Sequence, residues 1–444
     1  KNNLPEEIDD KNPSIEENIT VATIDTTKVN SVHYIGKDAD ITLTLKDNLW
    51  ISDDDPGRPI NQSYVDNLVN LVETINARRI VSENADKLSE YGLDNPSAFL
   101  MLTLEDQSTL NLKIGDKSTG INGNYGMVNE DNKVYLLNPT YGAGLEYSDI
   151  DFTAVESSPV ITVEDIEHIQ VINRDEDDFE LIRNNDNKYN HINSSISDWV
   201  IVKPYDGVYV ADPSKIAEVQ GDYTDFSFQT CVDYRGENFE QYGLKDPAAS
   251  VYIKYEDKEY KLYVGDKADE SNYYVKREGS DYVHTMRASL VEKMINRSPF
   301  DVLSSLILIP NIDKVNSVDI EIDGRAYRME IKRANNTNDD EEVIGTYYMN
   351  GKEVQDEAFK KVYQNMISAK YDAELKEDIK TDDNTKSQLT IKYNISGDDT
   401  SSYQVSFLSY KDSFYLVDTG KKIEFLADKR QIDNIAQSIK DLLD

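Results

Sequence analysis

Cysteine is almost absent: Cys231 is the only one in 444 residues. An intrachain disulfide and a thiolate metal cluster are therefore excluded. The compartment stays open, since surface proteins and cytosolic proteins alike avoid cysteine. Histidine is scarce too, with His33, His168, His191 and His284 scattered along the chain. None of them forms a His-Glu-x-x-His arrangement, so a zinc peptidase is not expected and each reads as a surface or sheet residue. Long apolar runs are missing. The most apolar stretch, Leu303 to Pro310, is far shorter than the roughly 18 residues of a membrane span. No signal peptide opens the chain, which starts at Lys1 rather than Met; a mature or trimmed form is expected. Basic residues are outnumbered, 47 Lys and Arg against 84 Asp and Glu, for a formal charge of −37. Such a surface repels phosphate backbones and anionic headgroups, so neither nucleic-acid binding nor charge-driven membrane binding is expected. Solubility through self-repulsion is the plain reading, and attraction of cations or a basic partner the sharper one.

Against these absences stand 29 tyrosines, compared with 11 phenylalanines. Tyrosine suits half-buried strand positions, with an apolar ring and a wet hydroxyl. Tyrosine-rich grooves also bind sugars and peptides, but here the tyrosines are spread along the chain. The length suggests about three domains at roughly 150 residues each. A repeat makes that count concrete. Tyr91-Gly92-Leu93-Asp94-Asn95-Pro96 returns as Tyr242-Gly243-Leu244-Lys245-Asp246-Pro247. Ile114-Gly115-Asp116-Lys117 returns as Val264-Gly265-Asp266-Lys267. The glycines recur at nearly one offset, 151 (243 − 92) and 150 (265 − 115), which argues for a duplicated domain. The only two tryptophans, Trp50 and Trp199, precede Tyr91 and Tyr242 by 41 (91 − 50) and 43 (242 − 199) residues.

The first signal reads as a helix-to-strand turn. Gly92 and Gly243 can take positive φ and stop a helical turn without a Cβ penalty. Pro96 and Pro247 push the residue before them into extended backbone and forbid helix continuation. Leu93 and Leu244 are then placed to plug the core beside the turn. The functional alternative is that Tyr91 and Tyr242 line a ligand site. With Trp50 and Trp199, they are the candidate binding residues.

Residues 1–27 are polar and acidic, carry Pro5 and Pro13, and read as a flexible leader separating a folded body from an anchor. The first unit, 28–158, opens with a strand at Val29-Asn30-Ser31-Val32 and continues through Ile41, Leu43 and Leu45. Asp47-Asn48 turns the chain into Leu49-Trp50-Ile51. After the loop Asp53-Asp54-Asp55-Pro56-Gly57 comes a helix capped by Asn61 or Ser63. Tyr64, Leu68, Leu71, Val72 and Ile75 fall at helical spacing, with Arg78 and Arg79 at the helix end. Strands near Ala98 to Leu104, Thr109 to Ile114, Tyr125 to Val128 and Lys133 to Leu137 read as an antiparallel meander. The second unit, 159–309, repeats the order. Trp199-Val200-Ile201 matches Leu49-Trp50-Ile51, and a helix from Asp212 carries Ile216, Val219 and Tyr223. The third, 310–444, starts with Val315-Asn316-Ser317-Val318, a verbatim copy of residues 29–32. A hairpin turns at Asp323-Gly324, and Tyr347-Tyr348-Met349 stands where the tryptophan strand would be. A helix over Gln355 to Ala369 and a closing one on Ile432, Ile435, Ile439 and Leu442 follow. This unit lacks both repeated signals, as a divergent terminal unit would. The expected fold is α+β: three related units in tandem, each an antiparallel sheet with one main packed helix.

The order Trp, helix, Tyr-Gly-Leu-x-x-Pro, strand, Ile/Val-Gly-Asp and Tyr-x-Val resembles the bacterial domain-of-unknown-function family 4340. Trp50, Tyr91 to Pro96, Ile114 to Lys117 and Tyr125 to Val128 carry the resemblance in the first copy. Trp199, Tyr242 to Pro247, Val264 to Lys267 and Tyr273 to Val275 carry it in the second. It covers residues 29–300 well and the remainder loosely. The resemblance implies an extracytoplasmic protein held by an N-terminal membrane segment or lipid, often encoded beside ABC-type exporter components. It implies no catalytic residues.

Catalytic signatures are sparse. Gly345 to Lys352 has the wrong spacing for a phosphate loop, and Glu353 stands where Ser or Thr is required. Gly120, Gly123 and Gly126 make no dinucleotide fingerprint, and no Gly-x-Ser-x-Gly elbow is present. Asp116 and Asp266 form a repeated acid pair, and a glycosidase needs carboxylates about 5 to 10 Å apart; Gly-Asp after a strand is more often a turn. The acidic loops Asp53 to Asp55, Asp175 to Asp178 and Asp339 to Glu342 offer oxygen ligands for Ca²⁺ without EF-hand spacing, and read as solvated. No cofactor is expected. The expectation is a non-enzymatic cell-envelope protein that binds or scaffolds an envelope partner, with an ABC-type exporter component implied by the resemblance. It would meet the membrane only through an anchor absent from this chain. A solute- or glycan-binding protein with its site between repeats is the alternative, and a hydrolase the third reading.

Overall fold

The structure, a computed structural model, describes residues 19–129, 131–185, 193, 196–333, 345–379, 385–395 and 402–443. Residues 1–18, His191 and the loop Asp339 to Glu342 lie outside the described residues. The chain forms three antiparallel sheets of nine strands each. It is mostly β with some helix, a narrower result than the α+β expectation.

The first sheet contains β1 (Ile19–Thr23), β2 (Val29–Ile35), β3 (Asp40–Lys46), β4 (Leu49–Ser52), β5 (Thr74–Ser82), β6 (Ala98–Leu104), β7 (Thr109–Lys117), β8 (Asn124–Val128) and β9 (Val134–Leu137), with helices α1 (Gln62–Leu71) and α2 (Pro139–Gly144). The second contains β10 (Ile166–Asn173), β11 (Phe179–Arg183), β12 (Trp199–Lys203), β13 (Tyr209–Val210), β14 (Phe228–Asp233), β15 (Ala249–Tyr255), β16 (Lys258–Lys267), β17 (Asn272–Arg277) and β18 (Val283–Arg287), with α3 (Pro213–Gly221), α4 (Ala288–Ile295) and α5 (Pro299–Val302). The third contains β19 (Val315–Ile322), β20 (Arg325–Arg333), β21 (Gly345–Met349), β22 (Lys352–Val354), β23 (Ala373–Glu374), β24 (Ser387–Ile395), β25 (Ser402–Ser409), β26 (Phe414–Asp418) and β27 (Phe425–Asp428), with α6 (Asp356–Ile367) and α7 (Lys429–Asp441).

Strand orders are β4-β3-β2-β6-β7-β8-β9-β5-β1, then β13-β12-β11-β10-β15-β16-β17-β18-β14, then β22-β21-β20-β19-β24-β25-β26-β27-β23. Eight positions correspond in all three; the ninth strand differs. In the second sheet it is β13, paired to the tryptophan strand through Val200–Val210 and Ile201–Tyr209. Val210 O accepts from Ser304 N at 2.9 Å, as Pro59 O accepts from Ala154 N at 2.7 Å, so Pro59 stands in the place of Val210. Proline has no N–H to give to a ladder. The first sheet gains β1 on its opposite edge instead, from residues read as leader.

The strands form where apolar side chains alternate, since successive residues face opposite sides. Ala98, Leu100 and Leu102 of β6, and Ala249, Val251 and Ile253 of β15, are buried while their neighbours are not. The main core of the first sheet lies between such faces and Val65, Leu68 and Val69 of α1. Here the expectation needs correcting. α1 stops at Leu71, and Ile75, Arg78 and Arg79 belong to β5. Thr74 and Ile75 are β-branched, which favours extended backbone, and Ile75 and Ala77 alternate into the core. Each sheet also has a second helix after its β9-type strand, α2, α4 or α7; the closing helix α7 stands where the sequence implied it, whereas α2 was not expected.

The two repeated signals meet. Gly92 and Gly243 take φ of 68° and 67°. Leu93 N bonds Leu88 O, and Leu244 N bonds Phe239 O, each at 3.0 Å, the six-to-one bond of a Schellman-type stop. A methyl on Gly92 would lie 2.6 Å from Asp116 Cγ, and one on Gly243 2.5 Å from Asp266 Cγ. A methyl on Gly115 or Gly265 would overlap the carbonyl oxygen of Tyr91 or Tyr242.

The chain divides into two compact units. The first holds the described residues to Ser157 with Ser227–Asn238 and Ser280–Met286, and the second holds Ser158–Phe226, Phe239–Gly279 and the described residues from Arg287 on. Within the second unit, Phe425 packs among the rings of Tyr205, Tyr209, Tyr371 and Phe300, 4.6 to 5.8 Å between centroids. Glu424, nearly buried, accepts from Asp206 N at 2.7 Å and from the Tyr209 hydroxyl at 2.9 Å. Burial, and then the nearby acidic groups, hold the Tyr205 and Tyr209 hydroxyls far above the usual phenol range.

Two outcomes follow for denaturant unfolding. Gly115→Ala and Gly265→Ala should each cost about 1–3 kcal/mol through overpacking, whereas Gly120→Ala, whose Cβ meets nothing within 4 Å, should be neutral. Tyr209→Phe should cost about 1–3 kcal/mol by leaving a buried carboxylate one partner short.

Candidate functional site

Trp50 and Trp199 sit at the same place in two sheets. Each is nearly buried, at 6% and 4% exposure, so each forms a wall and not a platform. A cleft of about 450 Å³ lies between the 3-10 turn Thr26–Lys28, the Trp50 strand and α1, lined by Thr26, Asn48, Leu49, Asp66 and Asn70 among others. A cleft of about 500 Å³ lies between the turn Val163–Asp165, the Trp199 strand and α3, lined by Glu164, Arg183, Asp198, Ile216 and Gln220 among others.

The first cleft is held by α1. Gln62 Oε1 accepts from Trp50 N at 2.7 Å, and Gln62 Nε2 donates to Trp50 O at 3.0 Å. The carboxamide thus bonds both backbone groups of one residue on an edge strand. Asp66, one helical turn on, accepts from the Trp50 indole N–H at 3.0 Å. In the second cleft Ala211 N bonds Trp199 O at 2.9 Å. Arg183 lies 5.9 Å from the Trp199 ring centroid, donates to Asp198 Oδ2 at 3.1 Å and to Glu164 O at 3.3 Å. Gln220 Nε2 donates to Val163 O at 2.8 Å. Neither Gln62, Asp66, Arg183 nor Gln220 was expected to belong to a site. Their only signal was a polar helix or strand position next to the tryptophan in space.

Tyr91 and Tyr242 are elsewhere. They end the 3-10 turns Leu88–Tyr91 and Phe239–Tyr242, half-buried, edge-on to Tyr125 at 5.1 Å and Tyr274 at 5.0 Å. They do not line the tryptophan clefts. Asp116 and Asp266 each pack against the glycine turn of their own repeat.

Among the described residues, no three His, Cys, Asp or Glu are placed to hold a metal ion. Asp55 is bonded instead to the Tyr234 hydroxyl and to Arg235 at 2.6 Å, and these bonds hold its carboxyl below the usual range. Asp177 borders a cleft of about 280 Å³ with Glu374, Glu377, Asp378 and Glu424, where Lys422 pairs with Asp378 at 2.8 Å. Burial pushes the Cys231 thiol up to about 11, so it is not poised as a nucleophile at neutral pH. No helix among the described residues is long and apolar enough to cross a membrane.

Fold and clefts together define a mostly β protein with an internally repeated domain and one tryptophan-walled cleft per repeat. The chain belongs to the family described as Domain of unknown function (DUF4340), whose model matches residues 50–197 and again 199–390. Both matches open at or beside a tryptophan. No curated protein and no solved structure matches the chain.

Gln62→Ala should cost about 1–3 kcal/mol by stripping the partners from the Trp50 peptide groups. In a Trp199→Phe background its fluorescence emission should shift to the red as Trp50 meets water.

Proposed function

We propose that this chain is a non-catalytic binding or scaffolding protein whose partner engages the two tryptophan clefts. The observation that carries this reading is the recurrence of a cleft at one topological place in the first two sheets, walled by the only two tryptophans. The polar groups around them hold the framework: Gln62 and Asp66 are bonded to Trp50, and Arg183 to Asp198 and the Glu164 carbonyl. That arrangement suits recognition through shape and exposed polar rims more than proton transfer. The third sheet is a divergent third copy on this reading, supported by its shared strand order and by Val315 to Val318. The family resemblance supports an extracytoplasmic location, an N-terminal anchor and a partner among envelope proteins, with an ABC-type exporter component the first candidate. A solute- or glycan-binding role is favoured by one feature, the side-chain amides of Asn48 and Asn70 lining the first cleft. Tyr91 and Tyr242 then serve packing in their own repeats.

Affinity capture of the tagged, full-length protein from its host tests this, alongside Asn70→Tyr and Ala217→Tyr, which fill the clefts from exposed helix positions. The expected result is an envelope protein recovered with wild type and depleted at least several-fold by each variant. Equal recovery by all three would remove the clefts from the interaction. Retention of a saccharide or small solute in place of a protein would transfer the clefts to the solute-binding reading.

A further inference from the structure

Strands β18 and β27 are equivalent. Each is the next-to-last strand of its sheet, and each runs straight into a helix, α4 capped by Arg287 and α7 capped by Asp428. Three residues before those caps stand His284 and Phe425. Both are buried, at 0% and 2% exposure. Phe425 sits in the ring cluster described above. His284 is also packed against rings, stacked on Phe228 at 4.2 Å with Tyr282 at 6.1 Å. One position therefore carries a titratable ring where its counterpart carries a hydrocarbon ring.

The imidazole nitrogens set the consequence. His284 Nε2 accepts from the Glu156 backbone N–H at 3.1 Å, which only a neutral imidazole can do. Nδ1 lies 3.8 Å from Glu156 Oε2, which accepts from the Ser280 hydroxyl at 2.8 Å. The titratable groups around the ring are Glu156 from the segment after the first sheet, Tyr282 ahead of β18, and Cys231 of β14, the cross-strand partner of His284. Asp233 and Arg58 act on Cys231 from further out. Protonating Nε2 sets two N–H groups against each other and places a charge where no solvent reaches. The Glu156 carboxylate offsets part of that charge from beyond hydrogen-bond distance.

We infer that His284 is a proton-sensitive latch that, when neutral, fastens the Glu156 segment to β14 and β18 within the first unit and, when protonated, releases it. Phe425 makes the corresponding place in the third sheet indifferent to pH. A histidine that must be neutral in the folded state stabilises it above its unfolded pKa, about 6.5, and that contribution fades as pH falls below this value. Asp55, in the same unit, is held below the ordinary carboxylate range and keeps its charge through the same window.

Hydrogen exchange of the full chain, read by mass spectrometry at pH values about one unit above and below the ordinary histidine pKa and corrected for intrinsic rates, tests the latch. Wild type should lose protection around Glu156 and Cys231 by about threefold at the lower pH, short of the roughly tenfold that a single proton can give one unit below the histidine pKa. His284→Phe, which installs the side chain found at the equivalent place, should lack that step. His33 and His168, paired with Asp40 and Glu180, remain in this variant and cancel in the comparison. Glu156→Gln keeps the backbone N–H but removes the offsetting charge, so its step should be deeper, and it tests the latch even if the first variant folds poorly. Unchanged or increased wild-type protection at the lower pH would overturn the proposal, as would an equal step in His284→Phe or a shallower one in Glu156→Gln.

Discussion

In each family copy two turns approach so closely that only glycine fits on both sides of the contact. Gly92 ends a 3-10 turn in the left-handed conformation with its α-carbon against Asp116, and Gly115 passes under the Tyr91 carbonyl. Gly243, Asp266, Gly265 and Tyr242 repeat this arrangement. The contact joins residues distant in sequence, the stop before β6 and the far end of β7. It therefore fixes where the β6–β7 hairpin begins and how far it extends. In the first copy it also closes a small core of Leu93, Met127 and Val134, with Tyr91 and Tyr125 against it. A side chain added to any of these glycines has to move backbone or a carboxylate, and close-packed interiors transmit such shifts.

The tryptophan clefts depend on the other end of the same sheets. A helix covers the core face, and the tryptophan strand lies at or next to the sheet edge, so the space between turn, strand and helix stays partly open. In the first copy a side chain, Gln62, supplies the bonds that a further strand would supply. In the second, β13 supplies them. The difference traces to Pro59 in place of Val210. Edge strands left bare invite pairing with other chains, and the two copies meet that hazard by different means while keeping the cleft.

Most of the fold was legible in the sequence because its strands alternate and its turns carry glycine, asparagine and aspartate. The Asp47-Asn48 and Asp323-Gly324 hairpins and the helices starting after Asp212 and Gln355 all stand where their residues imply. The first half of β5 was hidden because Ile75 continues the helical spacing of Leu68 and Leu71, and only the alternation of Ile75 with Ala77 gives it away. β14 and β27 were hidden because short edge and inner strands carry little periodicity. The candidate site was half legible. Two unique tryptophans at equivalent positions marked the clefts, but Gln62, Asp66, Arg183 and Gln220 join them through tertiary contacts that no spacing rule encodes. Tyr91 and Tyr242 drew notice through repetition, and their neighbours are the turn and a partner tyrosine of the same repeat.

On the proposed reading, the two clefts are the surface through which the repeat meets its partner. Site-specific photo-crosslinking in host cells tests it directly, with the photoreactive residue at Leu49 in the first cleft, at Glu164 in the second, and at Lys392 on the third sheet as a control. Covalent adducts to a common partner are expected from Leu49 and Glu164 and none from Lys392. Adducts from Lys392 alone, or from all three positions alike, would contradict it.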